Sequence, residues 1–356
     1  MSRTVARRRA RCQIPGRNNG NKGAGPALHV TLTGMKNSRR GAPWALVALA
    51  GVLSAAGTPL VAQTNPAVAG PAASAAAVVP PTLERLRSSA TIRLGHREAA
   101  VPFAFLVDGK PQGYSVDLCL RVVDGLRRSL GLPGLKVEWV PIQAAQRLPF
   151  TIEGRIDIEC GNTTATAERR KTVAFSTPTF VAGAGVLVRA ETGAKVLADL
   201  KGKRIAVVAS TTGERIVKRA NEALMAVVPV VVKDNAEAFA ALEAKRADAW
   251  ITDDILLAAY RAQAPDPKQY VLLEKRHTIE PLALMVRKGD PSFERAVDRE
   301  LNALINNGDA NRLYQRWFMQ PIPPKNVTLE VPASRLLREI FRTPTKMQYD
   351  VDVIVL

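Results

Sequence analysis

Residues 153–180, EGRIDIECGNTTATAERRKTVAFSTPTF, bring hydroxyls and a guanidinium together at a spacing that suits an anion. Ile156, Ile158 and Cys160 are buried-strand types, and Gly161 breaks the strand just before Asn162, Thr163 and Thr164. The pattern predicts a helix over 165–172, whose first turn offers unpaired N–H groups and the positive end of a dipole to a carboxylate. Arg169 follows the threonines by about one turn, so its side chain can grip an acid bidentately. An ordinary threonine cap followed by a solvated charge cluster fits the same letters. A second corner of this kind follows residues 204–209, where Ser210-Thr211-Thr212-Gly213-Glu214 places Thr211 and Glu214 at capping-box spacing.

The elements that must carry these corners alternate. A short helix over 82–89 leads into a strand over 91–95, with His96-Arg97-Glu98 at its end and a turn around Gly109. Val116, Leu118, Leu120, Val122, Val123 and Leu126 give an amphipathic helix that Gly131 stops. A strand over 136–141, a helix over 148–153 and the opening stretch complete a β-α-β-α-β order. The pattern then restarts: strands over 185–189, 204–209, 228–232, 247–251 and 270–273 alternate with helices over 196–200, 212–225, 236–245 and 255–262. A strand over 282–286 returns the chain, and helices over 291–306, 310–318 and 334–341 follow. This predicts two α/β lobes with mainly parallel sheets, 82–182 plus 284–343 and 183–283, with residues 344–356 loosely held. The crossings fall near 176–186 and 280–284, so both threonine corners face one hinged cleft at the carboxyl edges of the sheets.

Composition excludes one obvious alternative. The formal charge is +18, from 50 basic and 32 acidic residues. Residues 1–62 hold ten of the basic residues and no acidic ones, which leaves 40 against 32, a net of +8, for the rest. That remainder has few aromatics and no clustered basic tract, so nucleic acid is not an expected partner. Residues 1–34 read as a disordered gene-model extension. From Met35, the basic Lys36, Arg39 and Arg40, an apolar run over 44–53 and small residues around 54–62 read as a secretory signal peptide. Residues 63–81, rich in Ala, Pro and Val, read as a flexible tether. Of three cysteines, Cys119 and Cys160 survive such processing. In an exported protein they either pair or stay as buried thiols. No spacing suggests a metal or a cofactor.

These residues resemble those of the extracytoplasmic solute-binding proteins of polar amino-acid ABC transporters, family 3, in the glutamate/aspartate-binding branch. The likeness rests on His96-Arg97-Glu98 with Val101-Pro102-Phe103, Gly113-Tyr114-Ser115-Val116-Asp117-Leu118, Asp157 to Gly161 with Thr163-Thr164 and Glu168-Arg169, Phe175-Ser176, Asp199-Leu200-Lys201-Gly202-Lys203, Thr252-Asp253-Asp254 and Ile322-Pro323-Pro324-Lys325-Asn326. It covers residues 82–343. The resemblance implies a type II periplasmic-binding-protein-like fold, a monomer in the periplasm, and delivery of glutamate or aspartate to a membrane permease with its ATPase.

By position, the resemblance implies that Arg169 clamps the ligand's α-carboxylate, with Thr164 and Thr212 completing the shell. It implies that Asp253 accepts from the α-ammonium and that Arg97 takes the side-chain carboxylate. Asn162 stands at a usual serine position, Asn235 where the branch often has histidine, and Leu282 where it often has tyrosine. Alternative readings make Arg97 a surface arginine, Asp253 a helix cap, Thr211 a structural cap, and Tyr114, Phe103 and His96 structural. The competing function is a periplasmic enzyme on the same cleft, such as a dehydratase of a small acid, with Glu159, Glu280 or His96 as the proton-moving group. Binding without catalysis is the expected function.

Overall fold

The computed structural model describes residues 81–344, and the expected extension, leader, most of the tether and the tail lie outside them. The first five-stranded sheet runs in the order Lys136–Pro141, Thr91–His96, Ile158–Glu159, Met285–Arg287, Val173–Phe175. The second runs Val228–Val232, Arg204–Val208, Ala249–Asp253, Ala184–Arg189, Tyr270–Leu272. Each carries its own apolar core and its own helices.

The sheets are mixed rather than mainly parallel. In each, the second strand in that order is parallel to both its neighbours, and the remaining two pairings are antiparallel. The antiparallel strands are those that flank the crossings: a chain entering one lobe from the other arrives at the hinge end and runs the opposite way. The crossing itself is a two-stranded antiparallel ribbon in which Phe180–Ala182 pairs with Glu280–Leu282. The single strand expected over 282–286 is therefore two, Glu280–Leu282 in the ribbon and Met285–Arg287 in the first sheet.

The helix Tyr114–Leu130 shows how sequence sets this frame. Leu118, Val122, Val123 and Leu126 recur on one face and are fully buried, each contributing roughly 1.5–3 kcal/mol of apolar transfer. Gly113 precedes it at φ 131°, and a Cβ there would lie 2.2 Å from the Phe103 carbonyl oxygen, so glycine alone lets the two segments touch. Gly131 closes the helix in the left-handed region. Between strand Thr91–His96 and this helix lies a small sheet of Ala99–Ala100, Ala104–Val107 and Lys110–Gln112, where the sequence gives only a turn.

Phe103 and Tyr114 are core residues. With Phe180, Tyr314 and Phe318 they form a packed aromatic group, Phe180 stacking on Phe318 at 4.9 Å between centroids. The Tyr114 hydroxyl donates to the Thr179 carbonyl at 2.9 Å. One strand of the ribbon is thus rooted firmly in the first lobe. A disulfide joins Cys119 in the long helix to Cys160, just past strand Ile158–Glu159.

Candidate functional site

A small polar cavity lies between the two sheets, lined by Arg97, Arg147, Asn162, Thr164, Arg169, Thr211, Thr212, Asn235, Thr252 and Asp253. All six residues expected at the site, Arg97, Asn162, Thr164, Arg169, Thr212 and Asp253, are among them. Most follow the carboxyl end of a strand. Arg97 comes directly after Thr91–His96, Asn162 and Thr164 after Ile158–Glu159, Thr211 and Thr212 after Arg204–Val208, and Asp253 ends Ala249–Asp253.

The threonine corner of the first lobe differs from the expected helix terminus. The helix is a single turn, Ala167–Arg170, and its cap is Thr166, whose hydroxyl accepts from the Arg169 N–H. Thr164 instead forms an isolated bridge with Leu282 of the ribbon, so extended pairing with the hinge has displaced the start of the helix. The second corner is a true helix start, Thr212–Glu222. The Thr211 hydroxyl accepts from the Glu214 N–H at 3.3 Å, and the Glu214 carboxylate accepts from the Ser210 N–H at 2.7 Å. The reciprocal bond thus reaches one residue beyond the usual capping box.

Two arginines of the first lobe meet one carbonyl of the second. Arg147 donates to Ser210 O at 2.8 Å and to the Thr163 hydroxyl at 3.1 Å. Arg169 donates to Ser210 O at 3.1 Å and to Thr164 O at 2.9 Å. Ser210 holds this carbonyl in place with φ 61°, a conformation that costs a non-glycine residue about 1 kcal/mol or more. Asn162 donates to Asp253 Oδ2 at 2.9 Å across the same gap, and its own Oδ1 has no partner. The Asp253 side chain makes no cap bond, so its carboxylate belongs to the cavity and not to the helix that follows.

Glu280, on the ribbon, is fully buried and takes three hydroxyls: Thr164 at 2.7 Å and Thr212 at 2.8 Å on Oε2, and Thr278 at 2.7 Å on Oε1. The hydroxyl protons of Thr164 and Thr212 are therefore directed at Glu280, and their lone pairs are left for the cavity. One carboxylate thereby ties both threonine corners to the hinge.

Electrostatics follow from burial. Arg97 is pushed down to about 10 by desolvation and by the Arg147 guanidinium. Arg147 and Arg169 are lowered for the same first reason. Asp253 is raised to about 8 by burial and then by Glu280, against a smaller lowering from the Asn162 hydrogen bond. Three crowded guanidiniums that face the buried Glu159 without pairing to it favour a ligand bearing carboxylates, and a neutralised Asp253 is relieved by a cation. His96, packed edge-on against Trp139 at 5.7 Å, is lowered by burial and does not line the cavity. Among the described residues no group of His, Cys, Asp and Glu is arranged to hold a metal.

Sequence reading missed Arg147. It opens the helix Arg147–Ile152 after strand Lys136–Pro141, and it occupies the third strand-to-helix corner of the first lobe. That topological position was its only signal, since no threonine or glycine marks the turn. Asn235 lines the cavity at the head of helix Asn235–Glu243, and Leu282 lies buried in the ribbon outside the lining.

Residues 92–320 match the model of bacterial extracellular solute-binding proteins, family 3. The chain is 40% identical to an L-glutamate/L-aspartate-binding protein of Pseudomonas aeruginosa over 74% of its length and 88% of that protein's. It is 34% identical to a glutamate/aspartate import solute-binding protein of Escherichia coli, with the same two coverages. Among solved structures it resembles an ancestral amino acid-binding protein described as a precursor of cyclohexadienyl dehydratase. That match has a TM-score of 0.58 and 31% identity, covering 67% of this chain and 99% of the other.

Proposed function

Because the chain belongs to the bacterial extracellular solute-binding proteins, family 3, we propose that it captures glutamate or aspartate between its lobes. It then delivers that ligand to a membrane permease driven by a separate ATPase. One observation carries the reading: three buried arginines, Arg97, Arg147 and Arg169, share a single cavity with one buried carboxyl, Asp253. An acidic amino acid offers two carboxylates to the arginines and one ammonium to the carboxyl. Arg169 receives the α-carboxylate, taking the place that the Ser210 carbonyl fills for it here. Asp253 and the unpartnered Asn162 Oδ1 receive the ammonium, and Arg97 with Arg147 receives the side-chain carboxylate.

The names of the relatives support the same ligand class. Residence in the periplasm, export by a leader beginning at Met35, action as a monomer and no role for nucleic acid complete the proposal. Binding without turnover fits the side chains. Both Glu280 oxygens are engaged by hydroxyls, and His96 is packed away from the ligand space, so neither is poised to move a proton on a substrate.

Calorimetric titration with glutamate, aspartate, glutamine and asparagine tests the proposal, with Arg97→Ala and Arg147→Ala alongside. The expected result is tight binding of the acidic pair and a large loss in both variants. Equal binding of the neutral pair, or unchanged glutamate affinity in both variants, overturns it.

A further inference from the structure

Strand Ile158–Glu159 ends on a carboxyl with no well-formed hydrogen bond. Glu159 is fully buried, and neither of its oxygens makes a well-formed hydrogen bond. The chain folds back over it, since a Cβ on Gly161 would stand 2.2 Å from Glu159 Oε1 and 3.2 Å from Arg97 Cγ. The charged groups that face it are Arg147, Arg97 and Arg169, from three separate elements, with Thr163 the neighbouring hydroxyl. These are the three guanidiniums that line the cavity. Arg147 spends its own hydrogen bonds on Thr163 and Ser210, so Glu159 balances their charge without being bonded to them.

Charge can be counted at this site. Arg97, Arg147 and Arg169 oppose Asp253, Glu280 and Glu159, three against three when all are ionised. A ligand with a neutral side chain keeps that balance, whereas glutamate or aspartate adds one negative charge in a space withdrawn from water. Buried groups answer such an excess by taking up a proton. Glu280 accepts from three hydroxyls, and Asp253 faces the ammonium and accepts from Asn162. Glu159 has only the Thr163 hydroxyl beside it, in no well-formed hydrogen bond.

We propose that Glu159 is a specificity-determining residue which accepts one proton from solvent when an acidic side chain docks on Arg97 and Arg147. The ligand carboxylate then replaces Glu159 as the counter-charge of those arginines. A neutral side chain leaves Glu159 ionised, so the site admits the acidic ligand without stranding a charge. Burial already raises this carboxyl from its ordinary range, outweighing the arginines that lower it. The inference rests on the acidic-ligand reading above.

The test is titration of the intact protein with glutamate in buffers of different ionisation enthalpy, which counts protons taken up per ligand bound. The wild type is expected to take up more protons than Glu159→Gln, by as much as one. Its glutamate affinity should also fall relative to the variant as pH rises, by up to about tenfold per pH unit. Equal proton counts overturn the proposal. Should the variant not fold, infrared difference spectra of the wild type with ¹³C-labelled glutamate decide. A protonated-carboxyl C=O band that appears on binding and ignores the label supports the proposal, and its absence overturns it. If glutamate does not bind at all, the functional reading falls and takes this inference with it. If glutamate binds with equal proton counts, only the role of Glu159 is lost.

Discussion

Asn162 of the first lobe donates to Asp253 Oδ2 of the second at 2.9 Å, and both residues are buried. This bond spans the ligand space, so each partner answers partly to the other and partly to whatever sits between them. Replacing Asp253 with Asn removes the acceptor for an ammonium while keeping the shape. Affinity for every amino acid is expected to fall by about 2–5 kcal/mol, whatever the side chain, in calorimetric titration.

The same substitution predicts a pH effect on the empty protein. Asp253 is raised to about 8 in the folded state, against about 4 in an unfolded chain. The folded form therefore holds a proton that the unfolded form has released between those values, and stability from this group is lost as pH rises through the window. Melting curves should show Asp253→Asn gaining on the wild type from about pH 5 to about pH 8. A saturating ligand should close the gap, because its ammonium favours the ionised carboxylate.

Much of this site was legible in the sequence, and the reason is topological. Residues at the carboxyl ends of strands converge when strand and helix alternate, so the polar ends that hold Arg97, Thr212 and Asp253 face one cleft, and the family resemblance gave each its role. Arg147 occupies an equivalent corner in AAQRLPF, where nothing but the fold marks it. The one-turn helix at Ala167–Arg170 was overcalled because threonine pairs read as caps, and pairing of Thr164 with Leu282 involves a residue 118 positions away. The antiparallel strands escaped for a related reason: strand direction at a crossing depends on where the chain comes from, which local periodicity does not record.

Arg147 and Arg169 share the Ser210 carbonyl but are expected to separate by ligand. Arg169→Ala should weaken acidic and neutral amino acids together, since all carry an α-carboxylate. Arg147→Met should cost glutamate about 2–5 kcal/mol and alter glutamine by no more than a few-fold. Titrations of both variants with both ligands check this, and parallel losses in the two variants would remove the division of labour.

A contact away from the ligand makes a different prediction. The Ala99 carbonyl of the first lobe accepts from Asn235 Nδ2 at 3.0 Å and from the Tyr260 hydroxyl at 2.9 Å, both on the second. Tyr260 does not line the cavity, so Tyr260→Phe removes one clasp between lobes without touching the ligand. The loss should be about 0.5–1.5 kcal/mol, the same for glutamate and aspartate, and small-angle scattering of the unliganded variant should show a larger radius of gyration.

The disulfide fixes the segment from which the site is built. Cys160 lies two residues before Asn162 and four before Thr164, and it is tied to Cys119 on a helix packed in the first-lobe core. The bridge closes a sequence separation of 41 residues, which in the chain-entropy description stabilises the fold by about 4 kcal/mol. Cys119→Ala with Cys160→Ala should lower the melting temperature to the extent that reduction lowers that of the wild type. Because Gly161, Asn162 and Glu159 flank the lost anchor, glutamate affinity should fall as well. A double variant that loses stability but binds glutamate as before would show that the bridge does not position this segment.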